Sequence, residues 1–191
     1  MMYNQKIIKR NNSTLKFGKK TVVKITKPGH REWEERFYNL YVLFAKDYSY
    51  AVKPVSWKTD MIYEMERLDI VCDGFDILSE HDDADNLGPY ATLENALKIV
   101  KFYNQIYLDC LEFSAKHLPV GKYFFHDDLN LSNVVLTSSG EIKLIDCESF
   151  SIEENLLNIS HKSHSQAALL KAHLLSETLQ KQNDPKIKKH K

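Results

Sequence analysis

His126-Asp127-Asp128-Leu129-Asn130-Leu131-Ser132-Asn133 runs straight into an apolar segment, Val134-Val135-Leu136. After a Ser138-Ser139-Gly140 turn comes Ile142-Lys143-Leu144-Ile145-Asp146-Cys147-Glu148. The two flanking segments, Asn133–Thr137 and Glu141–Asp146, predict a hairpin whose strands are apolar enough to be buried. Short polar side chains stand at its mouth: Asp128 five residues before Asn133, and Asp146 thirteen residues after it. An arrangement of that kind can set three oxygen-bearing groups around one point. A divalent cation and a polyphosphate need this: hard oxygen ligands with room left for phosphate oxygens and water. Asp128, upstream of the other two, is placed to accept a proton from an attacking hydroxyl. The plainer alternative is a hairpin whose acids cap turns.

Upstream of this block the pattern divides in two. Ile7–Arg10, Thr14–Gly18 and Thr21–Thr26 are short β-branched segments separated by Asn-Asn-Ser and Gly-Lys-Lys turns, and they predict three strands. From Arg31 to Phe44 the residues Trp33, Phe37, Leu40, Tyr41 and Phe44 recur at helical spacing. Further strands are expected around Ala51–Val55 and Met61–Met65, then an acidic connector. A long helix follows from Leu93 to Leu118 with a stripe of Leu93, Leu97, Val100, Tyr103, Tyr107, Leu111 and Ala115, stopped by Pro119 and Gly121. The last helix is expected over Ser165–Leu179. This order predicts an α+β class in two lobes: residues 1–66 as a small β-rich lobe with one helix, 67–182 as a shortened, mainly helical lobe, and 183–191 as a basic tail.

At 191 residues, with 43% hydrophobic and 27% charged residues, the chain has a globular composition, which excludes collagen-like, low-complexity and wholly disordered classes. No apolar stretch approaches the ~18–20 residues needed to span a bilayer, and MMYNQKIIKR lacks the pattern of a secretory signal. Cys72, Cys110 and Cys147 are odd in number and widely spaced, as expected for a reducing, cytoplasmic setting. The net charge is zero, but residues 1–31 carry +9 and residues 60–89 carry −9. A basic first segment can attract phosphates and an acidic one cations, although both also read as solvated faces. His161, His164 and His173 lack the partners of a metal site. Trp33, Trp57 and Cys110 read as packing residues, and the KIKKHK end as a solubilising tail.

The block H-D-D-L-N-L-S-N with L-I-D-C-E resembles the catalytic loop and metal motif of aminoglycoside phosphotransferases and choline or ethanolamine kinases. These have a protein-kinase-like fold and are related to the H-R-D-x4-N and D-F-G motifs of protein kinases. The resemblance spans residues 1 to 150, about four fifths of the chain. It implies Asp128 as catalytic base, Asn133 as a metal ligand, Asp146 as the main Mg²⁺ ligand, and His126 as a structural brace of the loop. Asp127, beside Asp128, can raise one of the two carboxyl pKa values, so the base is assigned by its spacing to Asn133.

In the first lobe the resemblance implies that Lys24, in T-V-V-K-I, grips the α- and β-phosphates of ATP. A buried strand rarely spends a position on Lys without a partner. Glu34, at the edge of the helix's apolar face, is the expected partner, with Glu35 as the alternative. The segment Met61–Leu68 resembles the strand that receives adenine through the backbone of Glu64, Met65 and Glu66. The turn between the first two strands, Arg10-Asn11-Asn12-Ser13-Thr14, has no glycine, so backbone N–H groups and the Ser13 hydroxyl are the expected phosphate contacts.

The implied activity is an ATP- and Mg²⁺-dependent phosphotransferase acting on a hydroxyl, more often of a small molecule than of a protein. The alternatives are a compact atypical protein kinase or ATPase acting within a complex, and a nucleotide-binding pseudokinase. Only 45 residues follow Asp146, fewer than in relatives, so the acceptor is expected to use the acidic 73–85 segment or a protein partner that completes the site. Membrane and nucleic-acid partners are not expected.

Overall fold

Thr21-Val22-Val23-Lys24-Ile25-Thr26 is dense in β-branched residues, which fit a pleated, half-buried surface. In the computed structural model, which describes residues 6–29, 33–78 and 89–154, this run is the central strand of a five-stranded antiparallel sheet. The strands are β1 (Lys6–Lys9), β2 (Ser13–Phe17), β3 (Thr21–Thr26), β4 (Pro54–Thr59) and β5 (Ile62–Glu66), in the order β1-β2-β3-β5-β4. Across it Leu15 stands opposite Lys24, and Lys24 opposite Tyr63, so these three share one face.

Helix α1 (Glu35–Asp47) begins four residues later than its periodicity suggests. The cause is Trp33. Its ring is almost fully buried, packing edge-on against Tyr38, Tyr41 and Tyr63, while its main-chain N–H donates to Asp60 O at 2.7 Å. These contacts pin the chain in an extended conformation just before the helix. Tyr41 and Phe44 then bury the inner face of α1 against Phe150.

The chain divides into two units. The first runs to Asp69 and takes back Lys143–Ser151, a return that the expected boundary at residue 66 did not include. Leu144 joins this unit through a parallel bridge to Ala51, with hydrogen bonds to Tyr50 O and from Val52 N.

The second unit, Ile70–Ile142 and the chain from Ile152 onward, contains β6 (Ile70–Asp73), α2 (Gly74–Leu78), α3 (Leu93–His117), β7 (Tyr123–His126) and β8 (Val134–Thr137). β6 pairs antiparallel with β8. Strand β9 (Ile142–Leu144) follows β8 across the Ser138–Gly140 turn, where Gly140 has φ +80°. Strand β10 (Phe150–Glu153) is paired with β7. The strands β6, β7 and β10 were not expected from the sequence.

Helix α3 keeps its expected ends. The Thr92 hydroxyl accepts from Asn95 N–H at its start, and Pro119 lies just past its end. Its buried stripe is different: Ala96, Ile99, Phe102, Tyr103, Ile106, Cys110 and Phe113 face inward, whereas Leu97 and Tyr107 are exposed. The helix is apolar around much of its circumference, so two stripes fit the same period. The strands it packs on decide between them. Phe113 meets Phe124 at 5.3 Å between ring centres, and Ser114 Oγ accepts from Phe124 N–H. Among the described residues no helix is long and apolar enough to cross a membrane. The expected helix over 165–179, the basic tail, and His161, His164 and His173 lie outside the described residues.

Candidate active site

In the first unit, Lys24 has only 9% of its surface exposed, and a buried ammonium requires counter-charges. It has two. Asp146 Oδ1 lies 2.5 Å from Lys24 Nζ, and Glu148 also accepts from it. Asp146 is placed by its backbone, which has φ 64° and ψ 47°, the left-handed region that Asp tolerates better than most residues. The turn Cys147–Ser149 that follows holds the second oxygen, with Ser149 Oγ donating to Asp146 Oδ2 at 2.9 Å. Glu148 is buried and accepts in addition from the Tyr63 hydroxyl. Burial raises the Tyr63 phenol well above its usual value, so it remains protonated and a donor.

Glu34, the expected partner of Lys24, does not fill that role. Because α1 starts at Glu35, Glu34 is the cap residue outside the helix and its carboxylate pairs with Arg36 in solvent. Glu35 is exposed as well. Ser13 lies inside β2 opposite Thr26 and is buried, its hydroxyl donating to Asn12, so it is not presented at the turn. That turn is instead tied from below by Lys27: its N–H donates to Asn12 O, and its Nζ to Arg10 O and Asn11 O at 2.9 Å each.

Glu64, Met65 and Glu66 also differ from expectation. They lie in β5, between β3 on one edge and β4 on the other, and their main-chain groups are engaged in those ladders. The N–H of Glu66 donates to Lys53 O, and the Glu64 carboxylate accepts from Thr21 and Ser56. Strand β5 ends at Glu66, and the pairing extends one residue further, where Arg67 N–H donates to Lys20 O at 2.9 Å.

In the second unit, β7 ends on His126, which is 1% exposed, and the next residues alternate inward and outward. Leu129 and Leu131 are buried anchors, while Asp128, just before them, is exposed. Both Asp128 carboxylate oxygens are held: Oδ1 accepts from Asn130 Nδ2 at 2.7 Å and Oδ2 from Asn133 Nδ2 at 3.2 Å. Asn133 also donates to Asp128 O at 2.8 Å. Asn130 Oδ1 caps the 131–133 turn by accepting from Ser132 N and Oγ. Sequence reasoning missed two contacts, that of Asn130 with Asp128 and that of Glu148 with Lys24. Their signals were the second Asn of the loop and the Glu two residues past Asp146.

Two of the predicted hard oxygen donors are placed, one in each unit. Asp146 offers a carboxylate in the first unit. Asn133, with its amide nitrogen committed to Asp128, presents a carboxamide oxygen in the second. Among the described residues no cluster of three or more His, Cys, Asp or Glu could hold an ion by itself. The acidic connector is partly structural: Asp73 and Asp76 exchange reciprocal hydrogen bonds between side chain and main-chain N–H at 3.1 Å and thereby cap α2.

No protein-family model matches the chain, and no curated protein sequence matches it. Solved structures do. The Cydia pomonella granulovirus kinase PK-1 superposes with a TM-score of 0.52 at 15% identity, covering 77% of this chain and 53% of that one, so this chain spans about half the length of the viral kinase. The choline kinase LicA from Streptococcus pneumoniae gives 0.46 at 17% identity over 91% of this chain and 74% of its own. A choline/ethanolamine kinase family protein from Mesorhizobium loti gives 0.45 at 8% identity over 91% and 70%. At these identities the likeness concerns the fold, and it is the fold that the antiparallel sheet, the β3 lysine and the loop after β7 already indicated: a mixed α+β, protein-kinase-like fold in compact form.

Proposed function

We propose that this chain is an ATP- and Mg²⁺-dependent phosphotransferase that moves the γ-phosphate to an acceptor hydroxyl. The observation that carries the reading is the buried Lys24, held on the central strand by Asp146. A scaffold has no need to bury an ammonium, whereas a nucleotide site needs a fixed cation facing the phosphates. Lys24 would take the α- and β-phosphates, and Asp146 and Asn133 the Mg²⁺, which would neutralise charge on the β- and γ-phosphate oxygens. Asp128, with both oxygens oriented by Asn130 and Asn133, would accept the proton of the acceptor hydroxyl. His126, buried at the end of β7, would brace the loop. Little covalent chemistry is required of the protein, so catalysis would rest on positioning and charge neutralisation.

The acceptor is proposed to be a small hydroxyl compound, cationic to match the −9 net charge of residues 60–89. The second reading is a compact atypical protein kinase or ATPase acting within a complex, favoured by the likeness in fold to a viral kinase.

Thermal unfolding with and without Mg-ATP tests the nucleotide site. At about one hundred times the dissociation constant, Mg-ATP is expected to stabilise the wild type by ~2.7 kcal/mol. Asp146→Asn keeps a side chain that tolerates the left-handed backbone but removes the charge, and is expected to lose most of that shift. With an acceptor found by screening, Asp128→Asn should lose about a hundred- to ten-thousandfold in kcat while still binding Mg-ATP. A wild type that does not respond to saturating Mg-ATP would sink the reading. Transfer only to protein substrates would favour the second.

A further inference from the structure

We propose that Glu148, fixed by the Tyr63 hydroxyl, is the positioning residue of Lys24, the role that an acid on the α1 helix was expected to fill. The proposal rests on the nucleotide-binding reading above and deepens it.

The geometry within the first unit carries it. Lys24 on β3 and Tyr63 on β5 are cross-strand partners on one face of the sheet, and Glu148 accepts from both. Glu148 and Tyr63 are buried, with Tyr63 at 0% exposure and its ring edge-on to Trp33 at 4.7 Å. Trp33 is itself pinned through its main-chain N–H to Asp60 O. The carboxylate therefore has a rigid support behind it, whereas Glu34 and Glu35 lie in solvent.

Of the two carboxylates on Lys24, Asp146 is the more open, at 28% side-chain exposure against 8% for Glu148. A cation bound at Asp146 would compete for that carboxylate and leave Glu148 as the group that keeps Lys24 in place. The two acids then divide the work: Asp146 meets the ion, and Glu148 aims the ammonium at the phosphates. Tyr63 couples that aim to the central strands.

Two measurements on the full chain test this: Mg-ATP binding at several Mg²⁺ concentrations, with adenosine as the phosphate-free control, and acetylation of Lys24 read by mass spectrometry in the nucleotide-free protein. The variants are Glu148→Gln, which is isosteric, and Tyr63→Phe, which keeps the ring packing. Glu148→Asp is the conservative control. Both main variants are expected to weaken Mg-ATP binding about tenfold, leave adenosine binding unchanged, and make Lys24 several-fold more reactive than in the wild type. Glu148→Asp should recover part of the loss.

If the wild type binds Mg-ATP but both variants bind it equally well with Lys24 still protected, the proposal fails. If Glu148→Gln raises only the Mg²⁺ requirement and Tyr63→Phe changes nothing, Glu148 is a metal ligand and the proposal again fails. If the wild type binds no nucleotide, the underlying reading falls and the positioning role with it. The acetylation result then shows separately whether Glu148 holds Lys24.

Discussion

Lys24 shows how much a single buried charge demands of its neighbours. Its side chain is 11% exposed and its two partners sit at 28% and 8%, so their desolvation is offset by ion pairing and by the Ser149 and Tyr63 hydroxyls. Lys24→Met keeps most of the apolar stem but leaves two carboxylates without their cation. The nucleotide-free protein should lose ~3–5 kcal/mol in denaturant unfolding. Glu148 is the less hydrated of the two, so adding Glu148→Gln to Lys24→Met should return part of the loss, and more than adding Asp146→Asn. Equal recovery from the two would show that burial does not set the cost. The sequence identified Lys24 but not its partner. Choosing among Glu34, Glu35 and Glu148 depends on where α1 starts, and that is set by Trp33 reaching Asp60, a contact that spans 27 residues and leaves no trace in local periodicity.

At the scale of elements, the segment that presents Asn133 depends on a glycine that is not in a turn. Gly74 opens α2 against the 131–133 turn, and a Cβ there would lie 2.7 Å from Leu131 O and 3.3 Å from Leu131 Cα. Those are backbone atoms, so one element must move. Gly74→Ala should cost ~1–3 kcal/mol, read as a lower urea midpoint at unchanged slope. Gly29→Ala is the control: φ is +82° but nothing lies within 4 Å, so only the left-handed penalty of ~1–2 kcal/mol applies. The informative difference is in Mg-ATP-dependent stabilisation, which Gly74→Ala should reduce through Asn133 while Gly29→Ala leaves it unchanged. Elements marked by local chemistry were legible in the sequence: β3 from its β-branched run, the β8–β9 hairpin from Ser-Ser-Gly, and the ends of α3 from Thr92 and Pro119. β6 was hidden because Ile70-Val71-Cys72-Asp73 sits among acids and reads as a connector, although Asp73 and Asp76 prove to be caps. The inward face of α3 was not legible because the choice between its two apolar stripes belongs to β7.

Across the whole molecule the three thiols share one condition, although Cys147 lies in the first unit and Cys72 and Cys110 in the second. Burial raises Cys72 to about 11, helped by Asp76 and Asp73, and raises Cys110 and Cys147 further. In the unfolded chain all three would titrate near 9. Below that pH the thiols are neutral in both states and their contribution to stability is complete. Above it the unfolded chain binds fewer protons than the folded one, so stability falls as pH rises, by ~1.4 kcal/mol per pH unit for each fully engaged thiol. The decline that starts near pH 9 belongs first to the thiols; the phenols of Tyr38, Tyr41, Tyr63 and Tyr103, which burial raises from 10, add to it as the pH approaches 10. Urea unfolding at pH 8, 9 and 10 should therefore show a level region and then a decline. Cys72→Ala should remove one share of that decline, and in that variant the remaining slope should persist beyond pH 11 because Cys110 and Cys147 stay protonated longer. A flat profile through pH 10 would mean that the thiols are hydrated in the folded chain, contrary to the burial that both units require. The same burial makes all three poor nucleophiles, so a thiol reagent at pH 8 should label the native protein slowly and the urea-unfolded chain at all three positions.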